Sequence, residues 1–198
     1  MSAMGFLSAP ETTAEVQRLF DEDVDELGYV MNASRLWAYE PSLQAGLFDL
    51  IRGIVREHGL DVRQRGILVA ACASTLGDSY CSLAWGSKLA EAADAETAAG
   101  VLRGDDVGLT DTERAMATWA RKVARDPNGT TGADVQALRD VGFEDAEIFA
   151  ITALVALRIA FSTVNDALGA SPDAALRSAA PGAVLDAVTF GRTVEESS

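Results

Sequence analysis

The sequence predicts an all-α protein, on three observations. Apolar residues recur at helical spacing in segment after segment. Most of those segments carry a cap signal at one end and a glycine at the other. No stretch sustains the apolar–polar alternation of a strand.

Residues 1–10 read as a flexible tail. Thr12 or Thr13 caps a first helix reaching about Leu27, with Val16, Leu19, Phe20 and Val24 on one stripe. A second begins near Pro41, a residue preorganised for a first turn, and runs to His58, where Gly59 supplies a left-handed stop. Asp61 and Gln64 stand at capping-box spacing and open a third, to about Leu76. Gly77 breaks it, and Asp78 caps the next, to about Ala93. A short helix covers about Ala95–Leu102. The polar, Gly-containing connection 103–109 is the candidate boundary between two halves, about 28–102 and 110–170. Thr110 and Glu113 form a capping box for a helix reaching about Arg125. Pro127-Asn128-Gly129 is a turn, and Thr131 with Asp134 starts a helix ending at Gly142. Glu144 to Leu168 is long and strongly apolar, and Gly169 ends it. Ser171-Pro172 pairs an N-cap with a first-turn proline and starts a last short helix. These elements make one domain over 11–180, and 181–198 is left as a C-terminal tail.

A weak repeat appears at an offset of 83 residues, where Gly59-Leu60-Asp61 recurs as Gly142-Phe143-Glu144. Each precedes a small-residue apolar run, Val69-Ala70-Ala71 against Thr152-Ala153-Leu154. It stands either for two related halves or for a turn that many helix pairs share.

Composition narrows the function classes. At 198 residues and 48% hydrophobic content the chain can bury a sizeable core. A formal net charge of −14 repels phosphate backbones and anionic lipid surfaces, which sets nucleic acid and membranes aside as partners. The two cysteines, Cys72 and Cys81, are no disulfide framework, so a reducing, cytoplasmic setting is expected. On one continuous helix, nine residues would turn them to opposite faces. The N-terminus lacks the basic flank and apolar stretch of a signal peptide. The longest uncharged segments, Gly66–Gly77 and Ile148–Leu157, fall short of the roughly 18 residues a bilayer span needs.

Reactive chemistry concentrates at Asp78-Ser79-Tyr80-Cys81, between two apolar helices. With Asp78 as N-cap, Cys81 stands at the third helical position, where free N–H groups and the helix dipole favour a thiolate. An ionised Asp78 opposes that, so the sign of the shift is open. The plain alternative is that Cys81 is a small buried apolar residue.

Residues 28–170 resemble the carboxymuconolactone decarboxylase and alkylhydroperoxidase-D-like family, in its peroxidase-related branch. Four segments carry the resemblance. They are Arg63-Gln64-Arg65-Gly66-Ile67-Leu68-Val69, Gly77-Asp78-Ser79-Tyr80-Cys81, Leu109-Thr110-Asp111-Thr112-Glu113-Arg114-Ala115 and Asn165-Asp166-Ala167-Leu168-Gly169. It implies an all-α fold, oxidoreductase or antioxidant activity, and a homo-oligomer. The family motif is Cys-x-x-Cys-x-x-x-His with a Glu twelve residues before the first Cys, a thiol pair with its proton relay. In this sequence the Glu position holds Gly66, the first Cys position Asp78 and the His position Trp85, and only Cys81 is kept. Without a thiol three residues away, a sulfenic acid on Cys81 would need an outside thiol to resolve it.

The remaining candidates have plain alternatives. His58, the single histidine, sits in the last turn of a helix, where an imidazolium complements the dipole. One His and two separated Cys give no metal site, and no cofactor fingerprint appears. Arg158 is the only charge in the long apolar helix between Glu147 and Asp166. It pairs with Asp78, receives a ligand carboxylate, makes a simple structural ion pair, or stands exposed on that helix. Trp85, one turn beyond Cys81, and Tyr80 either fill the core or line a pocket. The reading is a non-peroxidatic protein of this fold, with a cavity for a small apolar or acidic ligand or for assembly. The alternative is a one-cysteine peroxide-reducing or acid–base enzyme using Cys81 and Asp78.

Overall fold

The computed structural model describes residues 5–195; residues 1–4 and 196–198 of the two expected tails lie outside the described residues. Eleven α-helices and one 3-10 turn are present, with no strand among the described residues. In chain order they are α1 (Ala14–Leu27), α2 (Asn32–Trp37), α3 (Pro41–Glu57), α4 (Val62–Leu76), α5 (Ser79–Ala92) and α6 (Ala95–Arg103). Then follow α7 (Asp111–Arg125), the 3-10 turn Pro127–Gly129, α8 (Gly132–Asp140), α9 (Asp145–Leu168), α10 (Ala174–Ala179) and α11 (Gly182–Ala187).

The local signals act as the sequence predicts. Thr13 caps α1, and Asp61–Gln64, Thr110–Glu113 and Thr131–Asp134 form reciprocal capping boxes for α4, α7 and α8. The 83-residue offset extends to hydrogen bonds. Leu60 N–H donates to Val55 O at 3.1 Å after one left-handed glycine, and Phe143 N–H donates to Leu138 O at 3.1 Å after the other. Asp61 and Glu144 then both open capping boxes. The repeated turn and helix start are therefore structural.

Three elements differ from expectation. The six-residue α2 has no side-chain cap of its own; Asn32 N–H instead donates to Asp173 Oδ1 at 2.8 Å, from 141 residues away. That use of Asp173 moves the start expected at Ser171-Pro172 to Ala174, and Ser171 O accepts from Asn32 Nδ2 at 3.1 Å. Past Pro181, α11 forms and seats Val184 against Gly86 of α5, so closely that a Cβ at Gly86 would meet Val184 Cγ1 at 2.9 Å. On α1, Val16 is buried while Val24 is 47% exposed, so the predicted stripe is covered only in part. At the N-terminus, Phe6 N–H donates to Leu168 O at 2.9 Å and the Tyr39 hydroxyl donates to Ser8 O at 2.6 Å.

The core is organised around α4. Gly66 to Ala73 are all buried, because a helix apolar on every side needs neighbours all round, and α5, α6, α7 and α9 supply them. The connection 103–109 is held by Asp106, which takes two hydrogen bonds from the Arg121 guanidinium at 2.6 and 2.8 Å. By length and composition α9 is long and apolar enough to cross a membrane, although its uncharged run alone is not. Here Ile148, Ile151, Leu154, Val155 and Phe161 face the bundle interior. A second apolar cluster, with Ala33, Leu36, Trp37, Tyr80, Cys81 and Phe161, lies where α2 and α3 cover α9 and the start of α5.

Gly86→Val should lower the unfolding free energy by about 1–3 kcal/mol in urea titration, the usual cost of overpacking. An unchanged midpoint would show that α11 does not press on α5.

Candidate functional site

Gly77, at φ +78°, turns the chain out of α4, and Asp78 follows as N-cap of α5. Its Oδ1 accepts the Cys81 N–H at 2.9 Å. Asp78 is fully buried, and its Oδ2 has no hydrogen-bond partner among the described residues. The cap thus fixes Cys81 in the first turn of α5, aimed at α9.

On α9, one turn separates Arg158 from Ser162, and both reach the sulfur. Arg158 Nη2 donates to Cys81 Sγ at 3.3 Å, and Ser162 Oγ lies 3.8 Å from it. Arg158 is 5% exposed. Its guanidinium lies 5.1 Å from the centre of the Phe161 ring, 5.6 Å from Trp85 and 6.0 Å from Phe48. Among the described residues no carboxylate comes within 4.0 Å of it, and its Nε has no acceptor. Of the partners the sequence offers Arg158, the ion pair with Asp78 does not form; the sulfur stands where that carboxylate was expected.

The sign left open for Cys81 is resolved upward. Burial is the largest cause and pushes the thiol up to about 12; Arg158 and Ser162 pull it down, and Asp78 pushes it further up. Desolvation of a thiol that is 2% exposed outweighs the preference of a helix start for a thiolate. Cys72, on α4, is also raised to about 12, chiefly by burial. Both thiols are free.

The sulfur and the guanidinium lie on the wall of a cavity of about 660 Å³ between α1 and α3 on one side and α4, α5 and α9 on the other. Phe48, Val69, Trp85, Leu154 and Phe161 give it an apolar lining. The cavity gathers all five sequence candidates into one neighbourhood: Tyr80, Cys81, Trp85 and Arg158 line it, and Asp78 holds Cys81 from behind. The Tyr80 hydroxyl donates to Asp173 Oδ2, which ties it to the α2 cap. His58 caps the far end of α3 and takes no part in the cavity lining. Gly66, at the family's Glu position, is the α4–α5 contact; a Cβ there would meet Leu89 Cβ at 3.0 Å. Phe48, Phe161 and Ser162 were not foreseen. Only Ser162 had a signal, its place four residues after Arg158.

Behind Asp78, burial and the Asp78 charge push Asp166 up to about 6, against the pull of Arg192. Arg192 Nη2 donates to the Asp166 carbonyl at 2.9 Å, and Ser79 Oγ donates to Arg192 O at 2.7 Å.

No family model and no curated protein matches the sequence. Solved structures share the fold. An uncharacterized peroxidase-related protein from Silicibacter sp. TM1040 superposes with a TM-score of 0.79 at 21% identity, over 88% of this chain and 95% of its own. An uncharacterized peroxidase-related protein with an alkylhydroperoxidase AhpD core, from Ralstonia eutropha JMP134, gives 0.73 at 23% identity, over 89% and 96%. The debrominase Bmp8 gives 0.72 at 16% identity, over 94% and 100%. A cysteine-to-alanine variant of that debrominase, in complex with 2,3,4-tribromopyrrole, gives 0.70 at 17% identity. The chain therefore has the alkylhydroperoxidase-D-like fold anticipated from its sequence.

Neither thiol should react with a thiol-disulfide reagent in the native protein at pH 7, and both should after unfolding in guanidinium. At that pH a thiol raised to about 12 is thiolate in about one molecule in 10⁵. A prompt native reaction would contradict the burial. Asp166→Asn should stabilise the protein at pH 7–8, with the gain fading toward pH 4. A carboxyl raised on folding contributes stability below its unfolded value and loses it as pH rises through about 6. Thermal melts at both ends of that range check it.

Proposed function

We propose that the protein binds a small, largely apolar molecule in the cavity at Cys81 and Arg158, and that it does not run a two-thiol peroxide cycle. The carrying observation is the aromatic-lined cavity of about 660 Å³, of a size that suits a compact ring system. The debrominase of this fold, in its cysteine-to-alanine form, holds a small flat ring, 2,3,4-tribromopyrrole. Phe48, Trp85 and Phe161 offer flat apolar surfaces here.

Against the two-thiol cycle stand three features of this chain. Asp78, not a thiol, is three residues before Cys81. Position 66 is packed against Leu89. Cys81 rests as a protonated thiol, raised to about 12.

A second reading is favoured by the Arg158–Cys81 contact alone, since a cation at 3.3 Å is how a buried thiolate would be held once formed. In it, Cys81 attacks a bound electrophile or peroxide, and an outside thiol reduces the sulfenic acid that peroxide would leave. Self-association belongs to the same proposal. The outer side of α9 leaves Phe149 76% exposed, with Ala156 and Ala160 exposed on the same helix.

Calorimetric titration with indole, a neutral flat probe, should give saturable binding to the wild type, and Ala84→Trp, which plugs the cavity wall, should abolish it without lowering the melting temperature. Cumene hydroperoxide with dithiothreitol should be consumed no faster by the wild type than by Cys81→Ser. Absence of binding to any small apolar probe sinks the main reading. Fast peroxide turnover lost in Cys81→Ser would put the second reading in its place.

A further inference from the structure

We infer that the cavity selects a flat organic anion, an aromatic carboxylate or a ligand of like charge and shape, with its charged end on Arg158 and its ring among Phe48, Trp85 and Phe161. The inference rests on the cavity reading above and adds the ligand class. A guanidinium taken out of water demands compensation by an anion or by hydrogen-bond acceptors. Arg158 is 5% exposed, yet among the described residues it finds only the sulfur of a protonated thiol, a weak acceptor, and three aromatic faces. Its Nε points at no acceptor.

The nearest acids do not fill the role. Asp78 gives Oδ1 to the Cys81 N–H and lies outside 4.0 Å of the guanidinium. Asp23, buried at the cavity wall, accepts the Met31 N–H at 2.9 Å, and burial raises its carboxyl above the usual range, toward the neutral form. The other cavity acids, Glu15, Glu22 and Glu26, are exposed on α1, where water and salt screen them.

The cavity also stands apart from the rest of the surface in charge. In a chain of formal charge −14, its wall away from α1 is lined by Arg65, Lys88 and Arg158, with Arg52 ion-paired to Asp49, and by no acid. An anion entering here meets its cation at the inner end and leaves its apolar body on rings, with a planar fork that suits a carboxylate.

The test pairs 2-naphthoate with its neutral isostere 2-naphthamide in calorimetric titrations of the full chain. The wild type should bind the acid at least about tenfold more tightly than the amide. Arg158→Met should erase that preference while amide binding survives, and Arg158→Lys should keep part of it, with far-ultraviolet circular dichroism verifying that each variant is folded. If the wild type binds both equally, the anion inference falls and the cavity reading stands. If neither binds, and indole fails as well, both fall. Should Arg158→Met not fold, the acid-to-amide ratio in the wild type and in Arg158→Lys still decides.

Discussion

One buried guanidinium without a carboxylate organises what this molecule offers chemically. Arg158 stands on the most apolar helix of the chain, within hydrogen-bonding distance of a single sulfur and ringed by aromatic faces. Such a charge is tolerated only where the surroundings stabilise it or a ligand does. The cation–π contacts and the thiol supply part of that stabilisation and leave room for more. The same charge partly offsets the effect of burial on Cys81. Under the proposal made above, an anion, whether a thiolate or a bound ligand, is the missing partner.

The bundle places that charge by helix register. Residues 158 and 162 fall one turn apart on α9, and the Asp78 cap fixes residue 81 in the first turn of α5, so the sulfur meets both. The Asp173 contacts extend the arrangement to the far side of the cavity. One carboxylate accepts from the backbone of α2 and from the Tyr80 hydroxyl, tying the cover to the floor of the site. Long-range ties of this kind explain why a six-residue helix with no cap of its own persists as α2. They also explain why α10 begins later than its Ser-Pro signal suggests.

Motif loss reads differently once packing is visible. Gly66 lies against Leu89 where α4 and α5 meet, and a Cβ there would meet Leu89 Cβ at 3.0 Å, so a larger residue requires Leu89 to shift. Trp85, in the position of the family's histidine, lies half-buried on the cavity wall within reach of Arg158.

The sequence alone determined most of the helices, α2 and α11 excepted, because caps, left-handed glycines and apolar periodicity are local and act within a few residues. Asp61–Gln64, Thr110–Glu113 and Gly77-Asp78 placed their boundaries to within a residue or two. It also named Asp78, Tyr80, Cys81, Trp85 and Arg158 as residues of interest, from a cap, a thiol and an isolated charge. Only the tertiary structure decided that Arg158 meets sulfur rather than Asp78, that Cys81 is raised rather than lowered, and that Phe48 and Phe161 complete the wall. Those outcomes depend on desolvation and on which helix faces meet. Both arise between segments far apart in the chain and leave no local trace in it.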